Sequence, residues 1–352
     1  MNKEYIIEKL KEVKDPEINK SVVELNMIRN LEFQDKKISL DLFLTIPNCP
    51  LKDKLKESIE NKLKEIGFEE ININLKIMEK EELENLKINL NIPFKKRKGE
   101  IKKIVAIASG KGGVGKSTVT TNLAVTLSKM KFKVGVLDAD INGPNIPLMF
   151  GIDEKPGILN GKILPIEKYG VKVISIGFFM ENDNSPVLWR GPLISKAIEE
   201  LFEDVLWENL DFLLIDLPPG TGDETLTVGQ SLSLDGVLIV TTPQDVSILD
   251  ATRSAIAFNK LNVPIIGVIE NMSYFICPDT GKKYEIFGSG GGEKMSKILK
   301  APLLGKVPIE INLRKGGDTG FPIVVSEPDS ASSKEFYKIT ELILKILNVS
   351  VS

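Results

Sequence analysis

From residue 104 onward, short unbroken apolar runs alternate with longer stretches whose apolar residues recur every three or four positions. The runs at 104–108, 133–138, 171–176, 211–216, 236–241, 264–270 and 303–307 predict strands. The periodic stretches at 116–129, 192–206, 246–261, 292–299 and 333–347 predict helices. Strands that are apolar throughout and separated by helices indicate a doubly wound, mostly parallel sheet with both faces covered, an α/β architecture. The first part of the chain has a different texture. Residues 5–13 form an amphipathic helix stopped at Asp15-Pro16, and residues 27–33 and 38–44 alternate around Asp35-Lys36-Lys37 as a hairpin. Apolar residues at 51, 55, 59, 63 and 66 make a helical stripe ended by Gly67, and 71–77 alternates again as a strand. The pattern therefore predicts a small α+β domain over 1–78. A charged, Asn- and Ile-rich linker without sustained period follows over 79–103, and the α/β domain occupies 104–352.

Composition narrows what such a chain can do. Its 352 residues suit about two domains, and 42% hydrophobic with 27% charged residues fits an ordinary core and a solvated surface. A net charge of −3 provides no global field for nucleic acid, and the basic run Lys95-Lys96-Arg97-Lys98, with Lys102 and Lys103, reads as solvated linker. No apolar stretch approaches the ~20 residues of a membrane span, and no apolar signal region opens the sequence, so a cytoplasmic location is expected. Two distant cysteines, Cys49 and Cys277, make no disulfide framework. Histidine is absent, which excludes Ser-His-Asp and Cys-His catalysis and His-ligated zinc. Chemistry must rest on carboxylates, lysines, backbone amides, Mg²⁺ and thiols.

Between the first predicted strand and helix of the larger domain lies Gly110-Lys111-Gly112-Gly113-Val114-Gly115-Lys116-Ser117. This is a phosphate-binding loop: glycines let successive N–H groups turn toward one phosphate chain, with Thr118 just behind. Lys116, expected to face solvent, would reach the β/γ-phosphates, and the Ser117 hydroxyl would hold Mg²⁺. Phe212-Leu213-Leu214-Ile215-Asp216 is an apolar strand ending in a carboxylate. Beside such a loop, Asp216 is placed to hold Mg²⁺ through its water shell, and the Gly/Pro-rich residues after it form a switch segment. A second strand ends in Asp138-Ala139-Asp140.

The early lysine makes the loop resemble the deviant Walker A of the ParA/MinD/nitrogenase-iron-protein ATPases. That resemblance implies a nucleotide-sandwich homodimer in which Lys111 reaches the partner's nucleotide, Asp140 orients the attacking water, and Asn271 reads adenine. Longer segments are more specific: Asp138-Ala139-Asp140-Ile141-Asn142-Gly143-Pro144-Asn145-Ile146-Pro147, Trp189-Arg190-Gly191-Pro192, Asp216-Leu217-Pro218-Pro219-Gly220-Thr221-Gly222-Asp223 and Asn271-Met272-Ser273-Tyr274-Phe275. They resemble the Mrp/ApbC family of iron–sulfur cluster carrier ATPases. Asp15-Pro16-Glu17 and Thr45-Ile46-Pro47-Asn48-Cys49-Pro50-Leu51-Lys52 resemble the small iron–sulfur-assembly domain that precedes the ATPase in many members.

The resemblance implies ATP, Mg²⁺ and an iron–sulfur cluster of unspecified type, delivered from a dimer interface to apoproteins. Assembly scaffold proteins are further expected partners, and neither nucleic acid nor membrane is. One departure stands out. Members that carry clusters usually have C-x-x-C after the Asn-Met-Ser segment, whereas this chain has Cys277-Pro278-Asp279-Thr280. A dimer then offers two thiolates from this site rather than the four of a 4Fe–4S cluster, and threonine is a poor ligand for soft iron–sulfur chemistry. Cys277 remains the metal-ligand candidate, and Cys49 is an additional thiol. Two rival readings stand beside the carrier: a partitioning or septum-site ATPase of the ParA/MinD kind, and a regulatory ATPase without a cluster. The first needs a basic surface or a membrane helix, and the amphipathic stretch 336–347 has no cationic face.

Overall fold

The computed structural model describes residues 2–15, 20–44, 52–78, 82, 101–180 and 191–350. The chain divides into two compact units, Met1–Arg97 and Lys98–Ser352.

In the first unit, Ile28–Gln34 pairs antiparallel with Lys37–Leu44, which pairs parallel with Glu70–Ile77. Asp35, at φ 52°, supplies the left-handed geometry that a two-residue hairpin loop requires. Helices Lys3–Leu10 and Lys52–Glu65 bring Ile6, Leu10, Ile59 and Leu63 against Leu40 and Leu42, all 0–1% exposed.

The second unit is built on an eight-stranded sheet. Its order is Leu303–Lys306, Ile265–Glu270, Gly236–Thr241, Ile101–Ser109, Leu210–Asp216, Val134–Asp138, Val171–Ser175 and Ile166–Lys168. Every pairing is parallel except the last, where Ile166–Lys168 runs antiparallel. Helices Lys116–Lys129 and Ala331–Ile346 pack together on one face, and Gly191–Asp204, Asp223–Ser231, Asp245–Lys260 and Gly291–Leu299 follow one another on the other. Covering both faces explains why the central strands are apolar throughout: Ile104–Ala108, Leu213–Ile215 and Val237–Val240 are 0–2% exposed. Strands on either side of Ile101–Ser109 follow it at different points of the chain, so the crevice at their carboxyl ends lies at the topological switch.

Several elements lie outside the apolar pattern. The central strand begins at Ile101, three residues inside the expected linker, because Ile101 pairs with Leu210 and is buried. Helix Asp223–Ser231 forms immediately after the segment read as a switch, where no helix was expected. Helix Ile311–Thr319 forms despite Gly316-Gly317, whose low helix propensity argues against it. Tertiary packing overrides propensity there: a Cβ on Gly316 would lie 2.5 Å from the Phe321 carbonyl. No helix among the described residues is long and apolar enough to cross a membrane.

Candidate functional site

The strand Ile101–Ser109 runs into a loop with no room for side chains at two points. A Cβ on Gly110 would lie 2.0 Å from the Ala251 backbone nitrogen, and one on Gly115, at φ 79°, would lie 2.2 Å from Asn271 Nδ2. Gly113 is left-handed as well, at φ 78°. The loop therefore folds back tightly before helix Lys116–Lys129, which opens without a side-chain cap on its N–H groups. Uncapped amides at a helix N-terminus suit an anion. Above the loop is a cleft of about 400 Å³. Lys111 to Thr118 form its floor, and Asp140, Asn142, Asn145, Met149, Pro219 and Met272 stand around it.

Three carboxylates gather beneath this cleft. Asp216 ends its strand fully buried, paired across the sheet with Asp138. It accepts from Lys116 Nζ at 2.6 Å, Ser117 Oγ at 2.7 Å and Thr120 Oγ1 at 2.5 Å. Lys116 Nζ also lies 3.5 Å from Asp140 Oδ2. The lysine is 6% exposed, so the expectation that it faces solvent is corrected: it is folded down onto carboxylates that would otherwise be buried without a counter-charge. Burial works against its charge, but Asp216 and Asp140 outweigh that and hold its pKa above the usual value. Burial, with the neighbouring Asp216 charge, pushes Asp138 up to about 8, against the opposing pull of Lys116 and the Ser175 hydroxyl at 2.9 Å. Asp140 is raised by burial and partly restored by Lys116. Its Oδ1 is buried with no hydrogen-bond partner among the described residues, while the side chain borders the cleft. An acceptor held this way is free to receive a hydrogen bond from something that enters.

Ser117 Oγ and Asp216 Oδ2 form a pair of hard oxygen donors at the cleft base, a set that fits Mg²⁺. Periodicity alone did not single out Thr120. The available signal was a threonine one turn after Lys116 on a helix that buries almost every side chain. The segment expected to act as a switch is pinned to the loop strand: Leu217 N–H donates to the Ile107 carbonyl at 3.1 Å, and Gly220 N–H to the Ser109 carbonyl at 2.7 Å.

Asn271 follows the strand Ile265–Glu270 and is 3% exposed. Its Nδ2 donates to the Val114 carbonyl at 2.8 Å, bracing the phosphate loop from behind, a contact that the sequence did not announce. Cys277 lies farther along, at the turn joining Phe275–Ile276 to Lys283–Tyr284. Its N–H donates to the Lys282 carbonyl at 2.9 Å, and its carbonyl accepts from Gly281 N–H at 2.8 Å, with Gly281 at φ 66°. The Thr280 hydroxyl, then the N–H groups of Thr280 and Asp279, donate to the thiol and lower its pKa, because they favour the thiolate. Thus the residue standing where a second thiolate would be is a donor to the first. No group of three or more Asp, Glu or Cys residues is placed to hold a metal ion among the described residues of one chain. Cys49, with the rest of residues 45–51, and Trp189-Arg190 lie outside the described residues.

Comparison with known proteins places this geometry. Residues 100–344 match the model of the NUBPL iron-transfer P-loop NTPases, and residues 3–74 match that of an iron–sulfur cluster assembly protein. An iron–sulfur cluster carrier protein of Synechocystis is 46% identical over 341 residues, covering 95% of this chain and 94% of that one. Among solved structures, a nucleotide-binding protein of Archaeoglobus fulgidus in complex with ADP is 38% identical, with a TM-score of 0.59 over 68% of this chain and 93% of that chain. The cell division ATPase MinD of Pyrococcus furiosus is 26% identical, with a TM-score of 0.53 over 70% and 99% of the two chains.

Proposed function

Because the chain belongs to the NUBPL family of iron-transfer P-loop NTPases, we propose that it is an ATP-hydrolysing carrier that loads an iron–sulfur cluster and passes it to apoproteins as a homodimer. The observation that carries the reading is that both chemistries hang from one strand end. Beyond Ile265–Glu270, Asn271 holds the phosphate loop, and six residues later Cys277 presents a thiol whose pKa is lowered by the Thr280 hydroxyl and neighbouring N–H groups. The two family matches, one for each unit, favour the carrier over the partitioning ATPase that the loop alone allowed.

In the nucleotide cleft, backbone amides of Gly112 to Ser117 would receive the phosphate chain, and Lys116 would leave Asp216 to meet the β/γ-phosphates. Mg²⁺, held by Ser117 and Asp216, would supply charge neutralisation on those phosphates. Asp140, with its free Oδ1, would orient the attacking water. Lys111, from the partner chain, would meet charge developing on the transferred group.

The cargo would sit between two chains, each giving Cys277. Two thiolates from this site, with Thr280 spent on Cys277, favour a cluster completed by weaker or external ligands and quickly donated. The test is anaerobic reconstitution of wild type, Cys277→Ser and Thr280→Cys, measuring iron and sulfide per dimer. Cluster is expected on wild type, absent from Cys277→Ser and more persistent on Thr280→Cys. Equal loading of wild type and Cys277→Ser would overturn the ligand assignment.

A further inference from the structure

Glu270 is fully buried, and neither the nucleotide cleft nor the thiol turn uses it. It is the last residue of its strand, immediately before Asn271. The chain then makes an excursion that carries Cys277 and returns at helix Gly291–Leu299. The Glu270 carboxylate closes the base of that excursion. On the outgoing limb it accepts from Ser273 Oγ at 2.6 Å; on the returning limb it accepts from the Gly292 N–H at the helix start. Lys306 Nζ stands 3.9 Å away and also pairs with Glu293. Glycine at 292 suits this close approach, since a Cβ there would lie 3.1 Å from Glu270 Oε2 and 2.8 Å from the Leu303 side chain. The outgoing limb is further held by Ser273 N–H on the Val307 carbonyl at 3.0 Å and by Ile309 N–H on the Tyr274 carbonyl at 2.7 Å.

A carboxylate kept entirely from water is costly, and a helix start can be capped more cheaply by a serine or asparagine at its own N-cap. Here that position is Gly290 without a side-chain cap, and the capping group comes from the strand that ends at the nucleotide site. Adjacent residues thus grip two different things: Asn271 the Val114 carbonyl of the phosphate loop, Glu270 both limbs of the thiol-bearing excursion.

We propose that Glu270 is a positioning residue that transmits the state of the phosphate loop to Cys277. The inference rests on the reading that Cys277 carries the cargo. When phosphates reshape the loop, the Asn271–Val114 bond is made or released. Because Glu270 fixes both limbs at their base, the displacement at 271 enters the hairpin instead of dissipating between its ends.

The experiment uses cluster-free full-length protein with Cys49→Ser as background and reads the alkylation rate of Cys277 by peptide mass spectrometry, with MgATP and with MgADP. The background protein should show a rate ratio of about fivefold or more between nucleotides, the low end of ordinary site-to-site coupling. In Glu270→Gln, which keeps shape but loses charge, the ratio should fall to about one while nucleotide affinity and ATP turnover stay within about twofold. A merely structural role would change the melting temperature without abolishing that ratio. Ser273→Ala, which frees only the outgoing limb, should lower the ratio at least by half and serves if Glu270→Gln does not fold. A background ratio of one, or an unchanged ratio in the variants, would overturn the proposal. Iron and sulfide do not enter this readout, so failure of cluster loading with coupling intact would sink the carrier reading alone.

Discussion

At the scale of single residues, the decisive fact is that the phosphate-loop lysine is buried against carboxylates rather than held in solvent. Lys116 meets Asp216 at 2.6 Å and Asp140 at 3.5 Å. Lys116→Ala should therefore do two things. It should abolish ATP turnover, and it should destabilise the nucleotide-free protein by about 3 kcal/mol at neutral pH, the usual result of removing one partner of a buried pair. The stability loss should shrink as pH falls, because protonation relieves the unpaired carboxylates. Chemical denaturation at two pH values checks this; an equal loss at both would mean that the pair carries no net charge compensation. Asp140 and Asp216 should separate in the same assays. Asp140→Asn should bind ATP but hydrolyse it about 10²-fold more slowly, the usual reach of a positioned acid or base. Asp216→Asn should instead weaken the dependence on Mg²⁺, read as turnover against metal concentration. The types and order of these residues were legible in the sequence, since a strand-end Asp beside a Gly-rich loop has few other uses. The downward fold of Lys116 and the Thr120 bond were not, because both depend on which side chains share a cavity, which spacing does not encode.

At the scale of elements, apolar period located the frame and missed the pieces that contacts create. Helix Lys116–Lys129 and strand Gly236–Thr241 stand where the pattern puts them, because burial on all sides leaves a clear apolar or periodic signature. Helices Asp223–Ser231 and Ile311–Thr319 contain Gly and Thr, and their stability comes from neighbours rather than from their own propensity. The Cys277 turn is the same lesson on a smaller scale. Thr280 reads in the sequence as a missing ligand, yet in three dimensions its hydroxyl is the first cause of the lowered thiol pKa. Thr280→Val should remove that donor, raise the thiol pKa toward its usual value and slow alkylation near neutral pH. The midpoint of the rate–pH profile should move upward; a midpoint that stays put would mean that the backbone amides alone stabilise the thiolate.

At the scale of the whole molecule, the two lysines of the loop behave differently within one chain. Lys116 forms two ion pairs, whereas Lys111 forms none among the described residues and borders the cleft half-buried. A lysine beside a phosphate site with no local counter-charge among the described residues suits a group that meets a partner's nucleotide. Lys111→Ala should therefore spare ATP binding more than hydrolysis. Mixing makes the prediction sharper. In a Lys111→Ala/Asp140→Asn heterodimer, the first chain keeps Asp140 in its own cleft and would receive Lys111 from the second. That one site should hydrolyse ATP, while neither variant does so alone. Random pairing of equal amounts makes half the dimers mixed, each with one competent site of two, so turnover should recover to about a quarter of wild type. If the lysine served its own chain, the mixture would stay as inactive as its components, and a turnover that remained at that floor would remove Lys111 from the partner's site.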